Sequence, residues 1–447
     1  MLYRIIVSNY KSFRDETEFN MFPNPRRETF PEHVYTSGLT PVVKTCALYG
    51  PNGAGKTNLI EAFRFLKVLV AARRQGNGSE WLKGWYVSNR YRLPVEEGKP
   101  TEMLVEFETE GHAYIYEIAI DEGGIRTEKL QLSGVGRKRS ASVFAFCRED
   151  YKLVFEKNKV KEDVRDIFLR QIKGDNSLTV LGTNSQGQLT LDEDMLRAYG
   201  WFERELDVVR VSRPLPMLIK AYKSDDRLKA YVGEALTKMG LEVLGLNVDN
   251  TDYETWRTSH GEAKGVIDVF DKALFASLQF NDVPLYSLDT IGGRKVVSEF
   301  KFLQEGMGGY EGEMDIKTQS DGTVRLLSLI PAIYNADRKG KTIVVDEIDL
   351  GIHPMVVKRL VKMFCDHKTT GQLIFTTHET ALLDQSEMLR PDEVWFAEKR
   401  KGQSILYSLN EFKVHHSINI ENGYLQGRFG AIPSLAPLEY EERQAKV

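Results

Sequence analysis

The sequence predicts an α/β fold that carries an antiparallel β subdomain and a mostly helical insertion. Three observations predict it. An apolar run, Val42–Leu48, leads into a glycine-rich turn and then into a helical pattern. Three short β-type runs between Met103 and Leu132 are split by turn residues. Two further apolar runs, Ile343–Val345 and Leu373–Thr377, end in polar residues suited to chemistry, Asp346-Glu347 and His378. Apolar strands alternating with helical stretches are what a parallel sheet covered by helices requires.

Taken in order, Leu2–Phe13 alternates toward a strand, and Asn24–Gly38 is a polar loop containing proline. Val42–Leu48 has the continuous apolar character of a strand buried on both faces. Thr57–Val70 places Leu59, Ile60, Phe63, Leu66 and Val70 at helical spacing, and Gln75-Gly-Asn-Gly-Ser closes that region as a loop. Met103–Phe107, Ala113–Ile120 and Ile125–Leu132, separated by Glu110-Gly and Glu122-Gly-Gly, read as an antiparallel meander. Residues from about Val160 to Phe280 read as mostly helical and irregular, broken at Gly174, Gly187, Pro214, Pro216 and Gly240. The Gly306–Gly312 stretch then precedes a final α/β block from Met314. The expected division is 1–135, an N-terminal lobe; 136–312, the helical insertion; and 313–447, a C-terminal lobe. There is no sustained heptad, so a long coiled-coil arm is not supported, and no internal repeat is evident.

Composition narrows the function classes. The 447 residues, 42% hydrophobic and 28% charged, suit two or three domains around a sizeable core. No apolar run approaches the ~18 residues of a membrane span. The N-terminus has no cleavage site of a signal peptide. Cys46, Cys147 and Cys365 form no CxxC pair, so a disulfide framework or zinc site is not expected and a reducing cytoplasm fits best. The net charge of −4 gives no support for a nucleic-acid coat, although charge can segregate on one face.

The first chemical motif is Gly50-Pro-Asn-Gly-Ala-Gly-Lys-Thr57, a complete G-x-x-x-x-G-K-T between an apolar strand and a helix. Glycines Gly50, Gly53 and Gly55 let backbone N–H groups curl around phosphates without obstruction from a Cβ. The helix start adds its positive dipole end. With Asn52 and Asn58 alongside, the loop predicts binding of ATP. Lys56 is expected on the β- and γ-phosphates and Thr57 on Mg²⁺. In the second motif, Asp346 sits at the C-terminal end of a buried strand, where open α/β sheets place ligands, and suits a Mg²⁺ ligand. Glu347 is the candidate base for the attacking water. His378, at the end of the next apolar run, can hydrogen-bond a γ-phosphate and sense its loss. Ser320 and Gly322, within Thr318-Gln-Ser-Asp-Gly322, precede a helical pattern over Thr323–Tyr334; taken alone they are an ordinary N-cap and turn, or a second anion site.

These pieces in this order resemble the ATP-binding cassette (ABC) ATPases, and more closely their SMC-like branch. Asn9-Tyr-Lys-Ser-Phe13 looks like that branch's N-F-[RK]-S-F strand. Ser320-Asp-Gly322 matches part of the L-S-G-G-Q signature, with Gln319 in place of leucine and Asp321 in place of the first glycine. The variant is similar to that of a group of stand-alone ATPases, the fifteenth AAA-named family. That group also shows E-I-D-x-G-[IL]-H-P, here Glu347–Pro354, and Y-L-Q-G-R-[YF]-G-A-I-P, here Tyr424–Pro433. The resemblance covers the first ~130 residues and Met314–Pro433. It implies an ABC/SMC-like P-loop ATPase head that dimerises, or forms a higher homo-oligomer, around sandwiched nucleotides. Ser320 and Gly322 would then act in trans, Leu350–His353 would be the D-loop, and His378 the switch histidine. Gln75 is the nearest candidate for the Q-loop.

Several members of that group resemble the ATPase half of two-gene antiphage systems of abortive-infection, PARIS-like or Septu-like type. The expectation is therefore an ATP-hydrolysing switch that controls a separate effector, a nuclease or toxin. The alternative is an SMC-type DNA-binding ATPase in repair or genome maintenance. Arg137-Lys-Arg139 and Lys399-Arg-Lys401 are candidate nucleic-acid contacts whose plainer reading is solvated hairpin turns. Trp395–Glu398 and Ile405–Leu409 read as the two strands flanking the second of these turns. His415-His416 reads as structural, since neighbours in an extended segment point to opposite faces. Tyr424–Pro433 suits a tight loop packed on the core, or else an oligomer or partner contact.

Overall fold

The computed structural model describes residues 1–71, 78–135, 140–156, 160–183, 192–210, 218–241, 243–280, 283–384, 388–412 and 419–433. The chain opens with β1 (Leu2–Ser8) and β2 (Thr17–Asn20), a small pair β3 (Val34–Tyr35) and β4 (Val42–Val43), and then β5 (Thr45–Tyr49). Helices α1 (Lys56–Ala71) and α2 (Gly78–Asn89) follow. Next come β6 (Thr101–Thr109), β7 (His112–Asp121), β8 (Gly124–Leu132), β9 (Ala141–Cys147) and β10 (Lys152–Phe155). With β1 and β2 these form a seven-stranded sheet in the order β10-β9-β8-β7-β6-β1-β2, antiparallel at every pairing. The expected meander is its centre. The sheet runs past the expected boundary at 135, because β9 and β10 extend its edge.

Three helices, α3 (Glu162–Gly174), α4 (Val180–Thr183) and α5 (Glu193–Gly200), lead to β11 (Leu206–Arg210). After α6 (Leu218–Ser224) and α7 (Asp226–Lys238) comes a second antiparallel region. It comprises β12 (Val243–Asp252), α8 (Tyr253–Ser259), α9 (Lys264–Lys272), β13 (Ala276–Phe280), β14 (Val283–Ile291), β15 (Arg294–Glu305) and β16 (Glu311–Asp315). The insertion expected to be mostly helical is thus mixed, with a five-stranded sheet of its own. The reason is local. Val243–Asp252 is half polar, with Asn247, Asp249 and Asn250 interspersed, and its partners in β15 lie some fifty residues on. Such a strand declares itself only through its pairing. Gly187, Pro214 and Pro216, read as breakers, lie outside the described residues.

The C-terminal block contains α10 (Asp321–Lys339), β17 (Thr342–Asp346), α11 (Pro354–Cys365), β18 (Gln372–Thr376), β19 (Val394–Arg400), β20 (Gln403–Ser408) and α12 (Ile420–Leu425). Ser320 caps α10 through Thr323 N, and Gly340 ends it in the left-handed region. Pro354 opens α11 behind the His353 cap. The six-stranded sheet runs β11-β17-β18-β5-β19-β20, parallel except for its last hairpin.

Strand alternation divides the core in two. Cys46, Leu48, Val344 and Ile374 face a core shared with α1 and the antiparallel sheet. Ala47, Tyr49, Ile343, Val345, Leu373 and Phe375 face the other core, which holds α10 and α11. The parallel sheet is therefore covered on both faces, as its apolar runs require. Asp207 pins its edge, accepting from Lys67 Nζ at 2.7 Å and Lys341 Nζ at 2.9 Å.

One buried carboxylate has a measurable consequence. Glu128 on β8 accepts from Val180 N at 2.6 Å, Leu181 N at 3.1 Å and the Tyr116 hydroxyl at 3.1 Å. Burial nevertheless pushes its carboxyl up from 4.5 to about 7. Between those values the folded chain keeps a proton that the unfolded chain releases. The stability tied to Glu128 is complete below the lower value and is lost as pH rises through the upper one, by about 3 kcal/mol. Glu128→Gln should flatten the fall in melting temperature across that window. A variant that melts with the wild-type pH profile would overturn this assignment.

Candidate active site

The loop between β5 and α1 takes its shape from its glycines. A Cβ at Gly55, at φ +108°, would collide with Ser404 Oγ and lie 2.9 Å from Ser12 Oγ. At Gly53, at φ +77°, nothing stands within 4 Å of a Cβ position, so the loop's open side is free for a ligand. Asn52, Gly53 and Thr57 are exposed there, whereas Ala54 and Lys56 are buried beneath. A phosphate cradle needs this combination of backbone in the left-handed region and an unobstructed face.

Lys56 Nζ donates to Gly50 O at 2.6 Å and Pro51 O at 3.3 Å and meets His378 Nε2 at 3.1 Å. An ammonium has three N–H bonds and no lone pair. His378 Nε2 is therefore the acceptor, and its ring proton sits on Nδ1. Burial first, and the Lys56 charge second, hold the His378 pKa below its usual value. Burial also lowers that of Lys56, against the opposing pull of Glu347, Asp346 and Asp349. The backbone of His378 donates to Asp349 Oδ2 at 3.2 Å, which ties the end of β18 to the turn after β17.

Thr57 Oγ1 donates to Asp346 Oδ1 at 3.3 Å, and Thr376 Oγ1 donates to the same oxygen at 2.9 Å. Glu347 N donates to Thr376 Oγ1 at 2.7 Å. Glu347 adopts φ +53°, uncommon for a non-glycine residue, and its side chain is exposed. The hydroxyl–carboxylate pair Thr57–Asp346 offers two hard oxygen atoms side by side. That donor set fits Mg²⁺, which takes one or two protein oxygens and keeps the rest of its shell for water and phosphate.

Ser320 and Gly322 stand elsewhere. Ser320 Oγ accepts from Thr323 N at 3.2 Å, and a Cβ at Gly322 would sit 2.9 Å from Gly351 O. Arg325 Nη1 donates to Leu350 O at 2.7 Å, so the start of α10 packs on the Leu350–His353 turn. Among the described residues, no hydrogen bond joins Ser320 or Gly322 to residues 50–58 of the same chain.

Sequence reasoning missed three contributors. Ser404 Oγ donates to Ala54 O at 2.5 Å and meets Ser12 Oγ at 2.8 Å, and Asn58 Nδ2 donates to Ser12 Oγ at 2.7 Å. A serine on the β20 hairpin and one near the N-terminus thus bracket the glycine loop. The Ser12 part was within reach, since it lies in the Asn9–Phe13 motif. The third is β11, whose last residue, Arg210, pairs with Asp346 at the ligand-facing end of the sheet. Gln75, Arg137-Lys-Arg139 and His415-His416 lie outside the described residues. Tyr424–Pro433 packs on the core: Phe396 stacks on Tyr424 at 5.5 Å and on Phe429 at 6.2 Å. The Tyr407 hydroxyl donates to Phe429 O at 2.8 Å.

A glycine loop leading into a helix, beside parallel strands that lead into Asp346 and His378, defines the α/β P-loop ATPase class. Residues 46–384 match the family model described as an AAA domain, putative AbiEii toxin, type IV TA system, and the chain belongs to that family. No curated protein matches it. Among solved structures it is similar to the SMC head domain from Thermotoga maritima, at 12% identity and TM-score 0.42, over 91% of this chain and 98% of that one. It is likewise similar to an SmcHead bound to the C-winged helix domain of ScpA, at 14% identity and TM-score 0.42, over 91% and 97%. None of the described helices is long and apolar enough to cross a membrane.

Proposed function

We propose that the chain binds ATP with Mg²⁺, hydrolyses it, and acts as a nucleotide-dependent switch. Gly50, Asn52, Gly53, Gly55 and Asn58 form or flank the loop that takes the phosphates. Lys56 supplies positive charge to the β- and γ-phosphates, and Thr57 and Asp346 hold Mg²⁺. Glu347 orients and polarises the attacking water, and His378 reads the γ-phosphate. The observation that carries this reading is the convergence of Lys56 on His378 Nε2 at 3.1 Å and of Thr57 on Asp346 at 3.3 Å. Cation, metal ligands and sensor meet at one end of one sheet, where open α/β folds place ligands.

The reading extends to a homodimer with two sandwiched nucleotides, in which Ser320 and Gly322 of each copy complete the other's site. Their seat on the Leu350–His353 turn, away from their own glycine loop, supports this. We further propose a role in bacterial antiphage defence alongside a separate effector, a nuclease or toxin; the family description itself names a type IV toxin–antitoxin system and a putative toxin.

Trans action is tested by mixing inactive variants. Lys56→Ala and Ser320→Ala should each be inactive alone. Half of the dimers in an equal mixture are mixed, and each carries one intact site of two, so turnover should recover to about a quarter of wild type. A mixture as inactive as its components would sink the trans arrangement.

A further inference from the structure

The fold brings together three segments whose charges the nucleotide site does not use. Lys11 N donates to Asn89 O at 2.5 Å, joining Tyr10–Phe13 to Asn89–Leu93. Ser404 N donates to Ser12 O at 2.7 Å, joining the β19–β20 hairpin to the first segment. A side chain at Gly402 would begin 3.5 Å from the Tyr91 hydroxyl and 3.6 Å from Leu93, so the hairpin tip also rests on the second. The contacting stretches 10–13 and 89–93 and the hairpin tip 399–404 carry Lys11, Arg90, Arg92, Lys399, Arg400 and Lys401 and no aspartate or glutamate; Glu398 lies just before the tip, and Asp15 and Glu16 follow the first stretch. In a chain of net charge −4, that is a local concentration of one sign.

Most of this charge is uncompensated. Arg92 donates to Val87 O and Ser88 O, both at 3.1 Å, and Arg90 lies over the Tyr86 ring at 5.5 Å; these partners are neutral. Arg400 is held by Glu398 at 3.0 Å and is set aside. Nearby, Glu96 is taken by Arg14 and Lys99, at 3.2 and 3.1 Å, which leaves Glu97 as the exposed acid of the adjoining turn. Among the described residues no carboxylate pairs with Arg92, Lys399 or Lys401, and all three are exposed. The tip is stiff. Arg400 pairs with Gln403 across a two-residue turn in which Lys401 and Gly402 take φ +48° and +85°. Lys399 sits directly opposite Ser404, on the sheet face that meets Ser12.

We propose that this surface binds the phosphate backbone of a nucleic acid. A single small anion calls for donors converging on one point, whereas these cations are spread over three segments. Such an array suits an extended polyanion, with positioning by phosphate contacts and little reading of bases. The proposal stands independently of ATP hydrolysis. Ser404 and Ser12 nonetheless connect the surface to Ala54 in the glycine loop and to Asn58 in the first turn of α1.

The test uses the full chain and fluorescein-labelled duplex DNA, duplex RNA and single-stranded DNA, followed by anisotropy across a salt series. At least one of the three should bind, with affinity falling steeply as salt rises. The triple variant Arg92→Glu, Lys399→Glu, Lys401→Glu should bind at least roughly tenfold more weakly, and its log–log salt slope should be shallower by about three. Unchanged thermal melting and ATP affinity in the triple variant would show that the fold and nucleotide site survive. Binding of none of the three probes by wild type overturns the proposal, as does a folded triple variant with wild-type affinity and slope.

Discussion

Lys56→Ala is expected to weaken ATP binding by roughly 30-fold or more and to abolish measurable turnover. Truncating one partner of a buried, hydrogen-bonded charge pair costs about 2–5 kcal/mol, and each 1.4 kcal/mol is about tenfold. Here one ammonium has two duties. It donates to Gly50 O and Pro51 O and to His378 Nε2. With ATP bound it is proposed to turn to the phosphates. The variant should therefore show a second effect unrelated to turnover. His378 loses the positive neighbour that helps depress its pKa, so its imidazole should titrate at higher pH by NMR. Burial, the larger cause, remains and keeps the value from rising freely. Wild-type hydrolysis by Lys56→Ala would remove the loop from the mechanism. An unmoved His378 titration would show that the lysine–histidine contact is not populated.

Glu347→Gln should have the opposite binding phenotype with an equally large loss of turnover. The amide keeps the size of the side chain and leaves the Glu347 N to Thr376 Oγ1 hydrogen bond in place. What disappears is the carboxylate, and general-base assistance contributes about 10²–10⁴-fold. ATP affinity should stay within about threefold of wild type, since Lys56, Thr57 and Asp346 are untouched. Hydrolysis should fall by at least about a hundredfold, and the dimer should accumulate with ATP and Mg²⁺ by light scattering. A Glu347→Gln protein that turns over normally would transfer the base role to another residue.

The parts of this site that could be read in the sequence combine a short motif with a strand or helix pattern around it. Gly50–Thr57, Asp346 and His378 are of this kind, and the structure brings them together. What could not be read depends on long-range contact. The five residues of β11 lie in a stretch dominated by helix and become a strand only by pairing with β17, over a hundred residues later. Ser404 looks like any serine after a basic turn, and its bond to Ser12 spans 392 residues. The sheet from β12 to β16 was hidden for a related reason: its strands are half polar, and their pairing supplies the signal that composition lacks. The 424–433 run was legible as a tight loop, and its aromatic stacking on Phe396 decides which surface it covers.

The strand order has a consequence for how the protein is made. In the finished sheet β5 lies between β18 and β19, so both neighbours of the strand that feeds the glycine loop are synthesised long after it. At about 5–20 residues per second, the ~320 residues from Tyr49 to Gln372 take roughly 15 to 65 s to leave the ribosome. Throughout that interval β5 has an apolar sequence and two unpaired edges, a state prone to mispairing. A ribosome-bound chain stopped before β18 should therefore lean on chaperones and ignore ATP, even though its entire G-x-x-x-x-G-K-T motif has emerged. Nucleotide binding would then report completion of synthesis, and truncated products would stay inert instead of acting as half-made switches.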